Sequence, residues 1–68
     1  MSYTVTLNIP GISCHHCTET IVRETRDVPG VIEVQADLET KTATYTLQDE
    51  AALGNVRRTL EEIEYPAE

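Results

Sequence analysis

The chain has no long apolar run: nothing in its 68 residues approaches the ~20 consecutive apolar positions a helix needs to cross a bilayer. It also lacks a basic N-terminal start. Met1 to Ile9 alternates polar and apolar residues, so it does not read as a secretory signal, and a cytoplasmic setting is expected. Cations are scarce. Five basic residues face twelve acidic ones, for a net charge of -7. A phosphate backbone or an anionic membrane surface would repel such a chain, which argues against nucleic acid and membrane insertion; the same charge serves solubility or partner docking. The chain is also short. It reads as one domain, 1–68, burying only roughly 60% of its unfolded surface, without room for a substrate cavity on a catalytic scaffold. That argues against an enzyme.

Cysteine is the other scarcity, and its placement is informative. The only two are Cys14 and Cys17. A disulfide across that spacing closes a very tight loop and staples little, so in a reducing compartment the pair points to metal or redox chemistry. No second Cys-x-x-Cys and no spaced histidine pair exists, which argues against a closed four-ligand zinc site.

Tyr3, Val5, Leu7 and Ile9 alternate with threonines and Asn8, the pattern of a half-buried strand that Pro10-Gly11 breaks. From His16 or Cys17 to Asp27 the spacing predicts a helix. Its apolar stripe (Ile21, Val22, Thr25, Val28) is weak, because Thr25 sits where leucine would pack better. Pro29-Gly30 stops it. Val31–Leu38 reads as a second strand with Ile32, Val34, Ala36 and Leu38 on one face. Thr42–Leu47 reads as a third, joined to it through the Glu39-Thr40-Lys41 turn as an antiparallel hairpin. Asp49 is the expected N-cap of a second helix carrying the stripe Leu53, Val56, Leu60 and Ile63. Gly54 costs that helix about 1 kcal/mol against alanine, which places its start nearer Asn55. Tyr65-Pro66-Ala67 leaves room only for a very short fourth strand. The fold class is therefore α+β: a ferredoxin-like βαββαβ order, with a four-stranded antiparallel sheet and both helices on one face.

Gly11-Ile12-Ser13-Cys14-His15-His16-Cys17 falls at the junction of loop and first helix. Unsatisfied amides and the positive end of a helix favour thiolates there, and two thiolates at this spacing can meet one centre. Soft thiolates select Cu(I), Zn(II) or similar ions, and a two-ligand site suits Cu(I). His15 and His16 are candidate additional ligands, or simply exposed residues at a helix start. Arg23 and Arg26, with Glu19, are expected on the first helix near the loop, as a solvated face or a docking patch.

Over essentially its whole length the chain resembles the heavy-metal-associated domain family, and within it the bacterial copper chaperones. The resemblance rests on Gly11-Ile12-Ser13-Cys14-x-x-Cys17 followed by Val28-Pro29-Gly30-Val31. It implies the βαββαβ fold and a soluble carrier that passes Cu(I), or sometimes another soft metal, to or within a P-type transport ATPase. It also implies that Ile12, replacing the usual methionine, packs under the loop, and that Tyr65 lies beside it. Glu24-Thr25 replaces the usual Ala-Leu, Glu64 stands where a glycine commonly precedes the aromatic residue, and Ser13 replaces the aspartate of many zinc exporters, which leans towards copper. The starting methionine favours a free-standing protein over an excised N-terminal domain of such an ATPase. A monomer is expected without metal, with a metal-bridged dimer as the loaded alternative. The competing reading is a thiol-disulfide oxidoreductase with Cys14 as nucleophile. Against it stand the short chain and the lack of a clear loop proline facing the cysteines.

Overall fold

A computed structural model describes residues 2–68; Met1, the first position of the N-terminal alternation, lies outside them. The elements run β1 (Tyr3–Asn8), α1 (His15–Thr25), β2 (Val31–Asp37), β3 (Thr42–Leu47) and α2 (Glu50–Glu62). The sheet has the order β1-β3-β2, with β3 antiparallel to both neighbours. Period-two patterning decides its faces. Leu7, Ala43, Tyr45 and Leu47 are buried on the side that packs against Ile21 of α1 and Ala52, Val56 and Leu60 of α2. Each large apolar side chain so buried contributes roughly 1.5–3 kcal/mol. The opposite face is polar and threonine-rich, with Thr6 and Thr44 paired at an Oγ1–Oγ1 distance of 3.2 Å.

The expected fourth strand does not form among the described residues; the sheet has three strands. The C-terminal residues lie along β1 with one backbone bond, from the Glu68 amide to the Asn8 carbonyl at 2.7 Å. One contact is too few to make a ladder, and Pro66 has no amide to donate.

Three local expectations are also corrected. Helix α1 begins at His15 rather than His16 or Cys17, with Cys14 as N-cap. Helix α2 begins at Glu50, not near Asn55. There the Asp49 carboxylate accepts from the Ala52 amide at 3.1 Å and Ala52 is buried, so cap and packing together carry the helix across Gly54. Ile32 does not face the core. A register shift between Val31 and Glu33 turns it outward, 54% exposed, while Val31, Val34 and Ala36 pack against the core.

Thr25, the weak point of the predicted α1 stripe, is completely buried. Its hydroxyl donates to the Ile21 carbonyl at 2.6 Å and accepts from the buried Tyr45 hydroxyl at 3.1 Å. A leucine there would strand the Tyr45 hydroxyl, so the pair satisfies itself where the family pattern is apolar. Gly30, in the turn before β2, has φ +91°, and a Cβ there would come within 2.6 Å of the Ala52 Cβ. Only glycine allows this turn to lie against α2.

Candidate metal centre

The residues from Gly11 to Cys14 lead from β1 into α1, anchored from below by Ile12, which is fully buried. The Ile12 amide bonds the Ile9 carbonyl at 3.1 Å, so the loop turns back directly over the core. Cys14, exposed, occupies the N-cap with extended backbone (φ -159°, ψ 171°). Its carbonyl accepts from the Cys17 amide at 3.0 Å, while its side chain makes no capping bond. The first turn also contains no acidic residue. Within that turn the two sulfurs are therefore the groups placed to carry negative charge at this positive helix end.

Cys17, one turn in, is 7% exposed and packs with the core. Three side chains meet its sulfur: Tyr65 Oη donates at 3.1 Å, Cys14 Sγ lies at 3.5 Å and Ser13 Oγ at 3.7 Å. The Tyr65 hydrogen bond, then the Ser13 backbone and side chain, then Cys14, stabilise the anion and push the Cys17 thiol down to about 6, against the desolvation that opposes them. The same bond, with desolvation and the nearby anions, raises the Tyr65 phenol, which keeps its proton and remains a donor. One nearly ionised, anchored sulfur thus sits beside one exposed sulfur.

Tyr65 reaches the site because of how α2 ends. The Tyr65 amide bonds the Leu60 carbonyl at 2.8 Å and the Glu64 amide bonds the Glu61 carbonyl at 3.1 Å, with Glu64 at φ 66°. This is a Schellman closure with Glu64 in the left-handed position that glycine normally takes. It turns the tyrosine ring onto the loop, where a Cβ on Gly11 would stand 3.3 Å from Tyr65 Cδ1.

The histidines are placed differently. His15 is exposed and borders a shallow depression with Asp37, Leu38 and Glu39; His16 is exposed on the first turn, its carbonyl accepting from Thr20 Oγ1 at 2.9 Å. No group of three or more His, Cys, Asp and Glu side chains among the described residues is arranged to hold an ion. Arg23 and Arg26 are not near the loop: they lie in the last turn and at the C-cap of α1, the end away from the cysteines. Ser13 is the contributor that sequence reasoning used only as a hint of metal type. Its place immediately before the first cysteine, where the loop folds over the helix start, is the signal for its contact with Cys17.

A loop that presents two sulfurs on a βαββα scaffold defines a metal-binding domain. The chain belongs to the heavy-metal-associated domain family, whose profile matches residues 6–66. That membership makes it a binding domain and not an enzyme. It is 32% identical over 65 residues to the mercuric transport protein periplasmic component of Serratia marcescens, covering 94% of this chain and 71% of that protein. Among solved structures it superposes on oxidized MerP from Ralstonia metallidurans CH34 with a TM-score of 0.89 at 30% identity, covering 100% of this chain and 96% of that one. A Bacillus anthracis protein assigned to copper-ion binding gives a TM-score of 0.88 at 26% identity, covering 100% and 97%.

Proposed function

We propose that this domain carries one Cu(I) ion between Cys14 and Cys17 and hands it, by thiolate exchange, to the metal-binding domain of a P-type transport ATPase in the cytoplasm. The observation that carries the reading is the asymmetry of the two sulfurs: Cys17 anchored, hydrogen-bonded and ionised, Cys14 exposed. An ion bonded to both at roughly 2.3 Å would be held bent, at roughly 100°, by sulfurs 3.5 Å apart, and linear binding would need them roughly 4.6 Å apart. Cys14, unpacked at the helix cap, supplies that opening. In transfer, an incoming thiol gives up its proton and bonds the ion. A three-coordinate intermediate forms, the Cys14–metal bond breaks and Cys14 takes up a proton; a second incoming thiol then gives up its proton and bonds the ion, and the Cys17–metal bond breaks. The count of metal–sulfur bonds and the oxidation state of the ion stay unchanged. Ile12 supports the loop from below and Tyr65 holds Cys17 from the side.

A second reading rests on the relatives. Similarity to a mercuric transport protein periplasmic component favours Hg(II) as cargo, the periplasm as compartment and a membrane mercury transporter as receiver. The site chemistry is the same, since both ions are soft and accept two thiolates. No described helix is long and apolar enough to cross a membrane.

Anaerobic titration of the reduced protein with Cu(I), Hg(II) and Zn(II), with mass measured in parallel, tests both. One Cu(I) retained per chain against a competing thiol, with Zn(II) lost, supports the copper reading. Retention of Hg(II) alone supports the second. Capture undiminished in Cys14→Ser and Cys17→Ser overturns the site. The same titration on His15→Ala and His16→Ala decides whether a nitrogen joins the sulfurs.

A further inference from the structure

Among the described residues the outer edge of β2 has no neighbour: β2 pairs only with β3, at the opposite end of the sheet from β1. Exposed edges are usually guarded, and this one carries a register shift at Val31/Glu33 and the exposed acids Glu33 and Asp37. Yet it also displays Ile32, a large apolar side chain that is 54% exposed. Beside the edge, on the helix side, runs an open groove of about 360 Å³ lined by Thr18, Glu19, Val22, Arg23, Arg26 and Ala36. On a chain of net charge -7 this groove holds two of the five basic residues.

From these features we infer that the β2 edge and the α1 groove form an isologous interface with a second copy of this chain, joining the two sheets into one six-stranded sheet without any metal. The charge pattern is self-complementary. Two α1 helices packed antiparallel about a two-fold near Val22 and Arg23 bring Glu19 of each copy to Arg26 of the other. The strand edge accepts the same axis. Side-chain faces match across an antiparallel pair only in alternate registers. Centring on Gln35 sets Glu33 against the second copy's Asp37, and centring on Ala36 sets Glu33 against its Glu39; both oppose like charges. Centring on Val34 sets Glu33 against Gln35, a pairing whose chemistry already occurs within the chain, where Gln35 Nε2 donates to Glu33 Oε1 at 3.1 Å. The acids that block two registers permit the third. Helix and strand agree on the axis: His15 borders Asp37, Leu38 and Glu39, so Val22, roughly 10 Å further along α1, lies beside Val34 to Ala36.

The cysteines lie away from this axis. Cys14 is roughly 12 Å from Val22 along the helix, so the two loops point to opposite ends and stay open to partners. This distinguishes the arrangement from a metal-bridged dimer, and its success or failure does not depend on the cargo.

Sedimentation equilibrium on the reduced, metal-free full chain, from about 20 µM to about 1 mM as a small interface requires, tests it. The expected mass rises from 7.6 kDa towards twice that value. Arg26→Glu and Glu19→Arg each weaken association roughly tenfold or more, and the double variant restores it to within roughly threefold. Cys14→Ser/Cys17→Ser leaves association unchanged. A monomer at the highest concentration, growth beyond a dimer, a requirement for metal, or charge reversal without loss and rescue would each overturn the proposal. So would an edge that binds only an unrelated extended peptide and no second copy.

Discussion

Replacing Tyr65 with phenylalanine removes one atom and keeps the ring against Gly11. The hydroxyl is the strongest of the influences that hold the Cys17 thiol at about 6. With that value, roughly ten Cys17 sulfurs are ionised for each protonated one at pH 7, so an arriving ion meets almost no competition from protons. A thiol at its ordinary value of about 8.5 is roughly 3% ionised at pH 7, and proton competition lowers its apparent metal affinity roughly thirtyfold. Ser13 and Cys14 still support the anion in the variant, so only part of this range is lost. The expected fall in apparent affinity is roughly three- to tenfold at pH 7. The sign is fixed by linkage. The difference between the two proteins widens as pH falls towards 6 and closes above pH 9, where the Cys17 thiol is ionised in either protein. Anaerobic competition titration across that range, with thiolate absorbance recorded on the metal-free samples, measures both quantities. An affinity ratio that does not change with pH, or a Cys17 titration that stays in place, refutes the reasoning: Tyr65 would then act on the loaded site or on packing alone.

The same lowered thiol makes stability depend on pH. Its contribution is complete above the ordinary thiol value of about 8.5 and is lost as pH falls through about 6, so the urea midpoint of the reduced metal-free protein falls across that window, and less so in Cys17→Ser. In the core, Thr25→Val leaves the buried Tyr45 hydroxyl without its acceptor and costs about 1–3 kcal/mol, whereas Tyr45→Phe removes only the bond and costs about 0.5–1.5 kcal/mol; equal losses in urea unfolding would contradict this asymmetry. Glu64→Gly relieves the left-handed residue at the end of α2 and stabilises by roughly 0.5–1 kcal/mol, measured the same way. Two glycines respond in opposite directions. Gly54→Ala, with open space around the added methyl, stabilises by about 0.5–1 kcal/mol, while Gly30→Ala lowers the thermal midpoint because of its φ of +91° and the 2.6 Å approach to Ala52.

Much of this molecule was legible in one dimension. The strict alternation of Tyr3 to Ile9 and of Thr42 to Leu47, the cap at Asp49, and the Pro29-Gly30 stop are local signals. Period and turn chemistry act over a few residues, and the elements appear where those signals place them. The cysteine pair at a loop-to-helix junction is equally local, as is the helix-end potential that favours its ionisation. The boundaries of α1 and α2 were less legible, because a cap bond and a buried alanine outweigh the intrinsic cost of one glycine. That no fourth strand forms among the described residues was not legible at all, since a strand at an edge exists only if enough ladder bonds form with a neighbour distant in sequence.

Sequence alone therefore determined the element order, the polar and apolar faces of the sheet and the two sulfurs at its edge. The tertiary structure decided which of those sulfurs is anchored and which is free. It brought Tyr65, 48 positions away, to 3.1 Å from Cys17, and it paired Thr25 with Tyr45 across 20 positions. Among the described residues it left the two histidines outside any three-donor group. The physical reason is common to all of these. Residue type and short-range spacing fix which backbone bonds a segment can make, but the environment that shifts a thiol or satisfies a buried hydroxyl is assembled from side chains that meet only when the elements pack.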